Sequence, residues 1–340
     1  MKPSPRRIPC AFVLALVCLG IAGCLGKPRA VQLPRPCGTP SAVCGQCHKA
    51  IYDEWRRSGH AQAFTREEFH VATRQHQAED CLRCHIPVSY DLLDSATVRT
   101  ENREEGVNCE SCHLRGDAYV ARRQFTSYAD HKVVEEPGIA ASEFCGKCHR
   151  AIYREWSEAA VAPADRQSCQ DCHMPATRRR TVSGSPWHVL HAKAECRHHG
   201  FGKVPPRPGT PNVALAASVQ AVTPAAVVAT ASVTNMAAHH SLPSGEFGFR
   251  ELAVVAALVD RYGVASAKQV TRFVAQRRTV LPYRQPQAVP LRFEDVAEDV
   301  EALEVQLVRS SYAGVEAVLE KVRIPLRPAR GEAAPAATEK

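Results

Sequence analysis

Hydrophobic and polar positions alternate differently in three zones of the chain. Residues 8–25 form an unbroken apolar stretch behind three basic residues, which is the pattern of a secretory signal sequence. Residues 37–205 carry only short apolar segments between turns and predict short helices and loops. Residues 204–209 read VPPRPG, a rigid break after which the texture changes.

Beyond this break, apolar runs with turn residues between them predict β-strands. The runs cover residues 213–222, 227–234, 252–259, 270–280, 300–308 and 322–326, with a turn at 260–263. An alanine-rich helix within residues 213–231 is the alternative for the first two. Several strands separated by turns favour an antiparallel β-sandwich.

The predicted fold class is therefore α+β, with a mainly helical and loop domain followed by a β-sandwich-like domain. The expected divisions are a signal peptide, a tether, the helical domain, the sandwich and a disordered tail. They cover residues 1–24, 25–36, 37–205, 210–328 and 329–340 in that order.

Composition adds a metal or cofactor signal, because the 340 residues include 15 cysteines and 15 histidines. Ten of these cysteines and five of the histidines fall in five C-x-x-C-H motifs. The motif residues are Cys44, Cys47, His48; Cys81, Cys84, His85; Cys109, Cys112, His113; Cys145, Cys148, His149; and Cys169, Cys172, His173. Zinc sites and disulfides are disfavoured because every cysteine pair carries a histidine in the next position.

This spacing has a specific chemical reason. Two thiols form thioether bonds to the vinyl groups on one edge of a porphyrin, and the adjacent imidazole binds its iron. The sequence therefore predicts five covalent haem c groups with His48, His85, His113, His149 and His173 as proximal ligands.

The remaining cysteines bear on export. Residues 21–24 read IAGC, which resembles a bacterial lipobox and makes Cys24 the expected lipidation site. Leu25 follows, which favours a periplasm-facing outer-membrane lipoprotein. A soluble periplasmic protein or an uncleaved N-terminal anchor is the alternative. Cys37 and Cys196 either form a disulfide or stay unpaired.

An internal repeat links the first and fourth motifs. Residues 44–55 read CGQCHKAIYDEW and residues 145–156 read CGKCHRAIYREW, with nine of twelve positions identical. The copies then diverge, because Val161 stands where the first copy has His60. Duplication of a helical unit is the simplest interpretation.

Several stretches resemble the cytochrome c554-like family. Residues 55–64 are similar to its W-x-x-S-x-H-A-x-A stretch, residues 105–110 to the approach to another family haem, and residues 169–175 to CQDCHMP. The resemblance covers roughly residues 40–245. It implies a multihaem electron-transfer fold and makes His60 a distal haem ligand.

Ten histidines remain for five distal positions. By the family stretches and their context we expect His60, His131, His199 with His198 as its rival, His240, and a weaker fifth at His191 ahead of His76 and His188. The third motif departs from the family's C-H-G-P-G. If one haem lacks a distal histidine, we therefore expect it there.

An electron carrier with mostly bis-histidine haems is the favoured function, and its partners would be periplasmic or outer-membrane redox proteins. A reductase of a small nitrogen or sulfur compound at one open haem face is the alternative, although the chain lacks C-x-x-C-K. The formal charge of +8 does not indicate nucleic-acid binding. Five haems add roughly ten propionate charges, and no basic run is interleaved with aromatics.

Overall fold

The computed structural model describes residues 38–95, 97–123, 131–183, 191–202, 211–245, 250–312 and 314–326. The expected signal peptide, tether and tail lie outside these ranges, as do Cys24, Cys37 and His188. Within them, the N-terminal part contains eight short helices. They are α1 (Ser41–Cys47), α2 (Lys49–Trp55), α3 (Glu67–Ala72), α4 (Glu79–His85), α5 (Cys109–His113), α6 (Ser142–Gly146), α7 (Arg150–Glu158) and α8 (Cys169–His173). No helix of the described ranges is long and apolar enough to cross a membrane.

Three of the motifs lie wholly within a helix, the second in α4, the third in α5 and the fifth in α8, where positions i, i+3 and i+4 share one helix face. The first motif ends one residue past α1, and the fourth spans the end of α6 and the residues before α7. The third and fifth motifs are also capped reciprocally. Asn108 Oδ1 accepts from the N–H of Ser111 at 3.0 Å, and Ser168 Oγ accepts from that of Asp171 at 3.1 Å. These capping boxes stabilise helices that are too short to persist alone.

Two small sheets accompany these helices, although the sequence predicted only helices and loops there. The strands are β1 (Leu114–Arg115), β2 (Ala118–Ala121), β3 (Val133–Glu135), β4 (Ala176–Arg179) and β5 (Ala194–Arg197). They pair as β1-β2-β3, with β2 and β3 parallel, and as β4-β5. Strands of two to four residues are too short to produce a readable alternation.

The C-terminal part is a seven-stranded antiparallel sandwich. Its strands are β6 (Val213–Val222), β7 (Ala226–Asn235), β8 (Glu251–Val259), β9 (Ala265–Val274), β10 (Gln287–Glu294), β11 (Ala302–Ser311) and β12 (Gly314–Pro325). One sheet has the order β10-β7-β6 and the other β12-β11-β8-β9. The α+β fold class is confirmed, and the alternative helix within residues 213–231 is wrong.

The strand predictions need three corrections. The run at residues 322–326 is too short, because β12 extends from Gly314 to Pro325. The run at residues 270–280 is wrong at both ends, because β9 begins at Ala265 and gives way to a 3-10 turn, followed by Arg278 at φ +56°. Strand β10 was missed because it contains Pro290. It lies at an edge of its sheet, where a missing N–H breaks no ladder between two neighbours.

The two parts are held together differently. The sandwich has a continuous apolar core that includes Val233, Leu258, Leu303 and Leu307, all at most 1% exposed. In the described helical part the apolar cluster comprises Phe69, Leu82 and Ile86 with three half-buried neighbours. The helical part has little side-chain core of its own, which suits a region that a bound cofactor would fill.

Candidate cofactor-binding sites

Four motif histidines each face a second imidazole ring from a distant segment. The ring centres lie 6.3 Å apart for His48 and His131, 6.1 Å for His113 and His199, 6.1 Å for His149 and His60, and 6.5 Å for His173 and His240. Two imidazoles bound at about 2.0–2.1 Å on opposite sides of one metal would have centres about 6.3 Å apart. Each pair therefore has the spacing of a bis-histidine site.

Backbone carbonyls orient most of these rings through Nδ1. Among the motif histidines, Nδ1 of His48 lies 2.9 Å from Thr181 O, that of His85 2.6 Å from Ala63 O, that of His113 2.9 Å from Val120 O and that of His173 3.1 Å from Gly202 O. On the facing side, Nδ1 of His199 lies 2.8 Å from Arg197 O and that of His240 2.9 Å from Ser241 O. Because a carbonyl only accepts, Nδ1 is the protonated nitrogen and Nε2 is left to bind a metal.

Burial favours the neutral form of three facing rings, those of His60, His199 and His240. Desolvation lowers the pKa of His60 and of His199 to about 4, assisted by the neighbouring His149 and His113 respectively. Burial likewise lowers the pKa of His113, His149 and His240. A neutral imidazole is the form that binds a metal, so the pockets favour ligation at neutral pH.

The second motif is arranged differently. The His85 ring stacks on Phe69 with centres 4.0 Å apart and planes 12° apart, and among the described residues it faces no imidazole. His76 stacks instead on Phe64 at 4.0 Å. His191 is exposed, and its carbonyl accepts from Arg180. The structure thus does not bring His191 to His85.

The expectation that an unpaired haem would lie at the third motif does not match this geometry. His113 faces His199, whose segment follows β5, while the rival His198 is 45% exposed and lies 3.4 Å from Glu54. The residues around the third motif did not identify His199 as the partner of His113, because His199 lies 86 residues further along the chain. A distal ligand is chosen by the fold and not by sequence proximity.

Thiol contacts join the motifs to one another. The side chains of Cys44 and Cys109 lie close enough to interact, as do those of Cys84 and Cys148 and those of Cys145 and Cys169. In each pair the neighbouring thiol raises the pKa of one cysteine and lowers that of the other, to about 7 for Cys84 and Cys169. The first motif therefore adjoins the third, the second adjoins the fourth, and the fourth adjoins the fifth.

Phe201 completes the connection between the third and fourth motifs. Its ring centre lies 4.2 Å from that of His60 and 5.9 Å from that of His199, the rings that face His149 and His113. All five motifs thereby form one contiguous group. Sequence reasoning assigned no role to Phe201, although it lies in the stretch that suggested His199.

Asn235 is a second residue whose role the sequence did not reveal. It is fully buried, and its Nδ2 lies 2.8 Å from His240 O and 3.0 Å from Ala238 O. Its Oδ1 accepts from the N–H of Ala238 at 3.0 Å. Asn235 thereby shapes the loop that presents His240. Among the described cysteines, Cys196 is the one outside the motifs; it donates to Thr177 O and accepts from Arg179.

Comparison with known proteins gives a family match and a structural match. A family model described as cytochrome c554 and c-prime matches residues 43–114. The fold is similar to that of a penta-heme cytochrome c552 from Thermochromatium tepidum, with a TM-score of 0.60 and 14% identity over 86% of this chain and 100% of that chain. A β-glucosidase 3B from Thermotoga neapolitana matches 34% of this chain and 16% of its own, with 14% identity and a TM-score of 0.19 that supports no comparison of folds. No curated protein matches the chain.

Proposed function

We propose that the chain is a multihaem c-type cytochrome of the cytochrome c554-like family and that it is an exported electron carrier with five covalent haems. Four of these would have histidine on both faces of the iron. The second would have His85 on one face. The family and the fold support haem c binding and electron transfer; the number of haems and their ligation are our proposal.

The observation that carries the proposal is the set of four facing imidazole pairs at 6.1–6.5 Å. When bound, a haem c supplies one reversibly held electron at its iron. The chain's own residues would tether the porphyrin edge through paired thiols, direct Nε2 of each histidine inwards, and exclude water by burial. Two histidines holding one haem would leave no ligand position for substrate, which favours a carrier over an enzyme at these four sites.

Contiguity of the motifs supports transfer along the whole chain. The thiol contacts and Phe201 connect the motifs in the order first, third, fourth and fifth, with the second attached to the fourth. Electrons would therefore enter or leave at either end of a four-site path, and the second site would be a branch.

A pair of neighbouring variants tests the ligation. His199→Ala should convert one haem of the purified holoprotein to high spin, measured by EPR, while mass spectrometry still finds five haem masses. His198→Ala is the matched control, because that ring is half-exposed and points to Glu54. Equal spectra for the two variants, or a mass gain of fewer than five haems in the parent protein, would contradict the proposal.

A second candidate function applies to the second motif alone. Since His85 faces no imidazole among the described residues, this site favours binding and reduction of a small nitrogen or sulfur compound. The test is a high-spin EPR signal in the parent protein that responds to nitrite, hydroxylamine or carbon monoxide. If His188→Ala or His191→Ala creates such a signal where the parent has none, a histidine fills the position and the enzyme candidate fails.

Export and partners follow from the N-terminal pattern. We propose that Cys24 carries a lipid anchor facing the periplasm and that the partners are periplasmic or outer-membrane redox proteins. Labelling with a fatty acid in the native host should mark the protein and not its Cys24→Ser variant. Absence of label in both would support a soluble periplasmic form instead.

A further inference from the structure

The two copies of the repeated segment make equivalent contacts with the rest of the chain. Trp55 Nε1 donates to Val107 O at 2.8 Å, and Trp156 Nε1 donates to Gln167 O at 2.9 Å. Val107 lies two residues before the third motif, and Gln167 lies two residues before the fifth. The duplicated unit therefore comprises two motifs, the first with the third and the fourth with the fifth.

The glutamate before each tryptophan repeats a second contact. A carboxylate oxygen of Glu54 accepts from the backbone N–H of His199 at 2.9 Å, and one of Glu155 accepts from that of Ser241 at 3.0 Å. His199 faces the third motif, and Ser241 directly follows His240, which faces the fifth. In the first copy, Glu54 thus binds the segment whose His199 ring faces the third motif. In the second copy, Glu155 binds the segment whose His240 ring faces the fifth motif.

In the first copy, the contact belongs to a buried network. The Glu54 side chain is 12% exposed and pairs with Arg179, whose Nη2 lies 2.8 Å from Glu54 Oε2. The same Arg179 nitrogen lies 3.2 Å from Arg197 O, the carbonyl that also accepts from His199 Nδ1. The network therefore constrains both the backbone and the ring of His199.

In the second copy, the contact is simpler. Glu155 is exposed on α7, and the bond to Ser241 links this helix to the loop after β7. Ser241 O in turn accepts from His240 Nδ1 at 2.9 Å. The residue that Glu155 binds is thus the one that orients the His240 ring.

Ring geometry separates the two pairs with a glutamate contact from the other two. The planes are 30° apart for His113 and His199 and 25° apart for His173 and His240. They are 49° apart where His131 is the facing ring and 41° apart where His60 is. The more nearly parallel pairs are those whose facing segment is bound by a repeat glutamate.

We propose that Glu54 and Glu155 are positioning residues that hold the His199 and His240 segments so that each ring lies nearly parallel to its motif histidine. This inference rests on the proposed function. The angle between axial imidazole planes governs the anisotropy of a low-spin ferric EPR signal, so a positioning role has a spectroscopic signature that folding alone does not have.

Glu155 provides the cleaner test, because its exposed side chain is not part of a buried ion pair. In the holoprotein, Glu155→Ala should shift the low-spin signal of one haem in five and speed amide exchange at Ser241. Glu155→Gln keeps an acceptor oxygen and should restore both readouts. Glu158→Ala removes an exposed charge from the same helix and should change neither.

The outcomes are distinct. A Glu155→Ala protein whose EPR signals match those of Glu158→Ala overturns the inference, whether or not Ser241 exchange rises. A Glu155→Gln protein as altered as the alanine variant overturns it too. If the parent protein lacks five haem masses or bis-histidine signals, the proposed function fails, and with it the premise of the inference. Glu54→Ala should shift the third-motif signal in the same way.

Discussion

Asn235 is predicted to stabilise the sandwich and the loop that carries His240 at the same time. Its side chain is 0% exposed, and its amide lies within hydrogen-bonding distance of Ala238 O, His240 O and Leu281 O at 2.8–3.2 Å. Two donated hydrogens and one accepted bond from Ala238 N–H make three hydrogen bonds. At roughly 1 kcal/mol each, Asn235→Ala should lower the free energy of unfolding by about 3 kcal/mol.

Urea unfolding followed by far-UV circular dichroism measures this loss. With a slope of about 2 kcal/mol/M, the midpoint should fall by roughly 1.5 M. The same variant should weaken the low-spin EPR signal of one haem, because His240 O loses a partner. Gln220→Ala is the control, since that side chain is exposed and donates to Ser218 in the same strand. A midpoint for Asn235→Ala no lower than that of Gln220→Ala would refute the reasoning.

Three further predictions concern single side chains. His60→Ala should make one haem in five high spin by EPR, while mass spectrometry still finds every haem attached. The control His70→Ala should leave all haems low or high spin as in the parent protein. Equal EPR spectra for the two variants would show that His60 is not a ligand. Leu303→Ala, at a fully buried position of the sandwich, should cost about 2–5 kcal/mol in urea unfolding, and a loss below 1 kcal/mol would contradict its place in the core. The hydrogen bond from Lys321 lowers the pKa of Glu304 below 4.5, so this carboxylate stabilises the fold above that pH and its contribution is lost as pH falls through the lowered value. Glu304→Gln should therefore lose less stability than the parent between pH 7 and pH 3, and an equal loss would show that the pair contributes nothing.

The repeat illustrates how much the sequence could predict about the sites. Nine identical positions indicated a duplicated unit, and Glu54 and Glu155 are among them. What these residues bind could not be inferred, because His199 and Ser241 lie 145 and 86 positions further along the chain. Identity within a repeat indicates a shared role but does not identify the partner.

The sequence by itself determined the features that depend on neighbouring residues. A C-x-x-C-H motif is defined within five consecutive residues, so all five motifs could be recognised from spacing alone. Alternation of apolar residues likewise predicted most strands of the sandwich, because side chains of a strand point to opposite faces in turn. Strand β10 was the exception, since Pro290 concealed an edge strand.

Only the tertiary structure decided which histidines face each other and which motifs adjoin. The four facing pairs join residues between 67 and 89 positions apart. Ten histidines outside the motifs were candidates for the facing positions, and their local sequences are similar. Their selection depends on the pairing of small strands, on buried carboxylates and on loops such as the one that Asn235 orders. Those interactions depend on distances in space, which the order of residues along the chain does not specify.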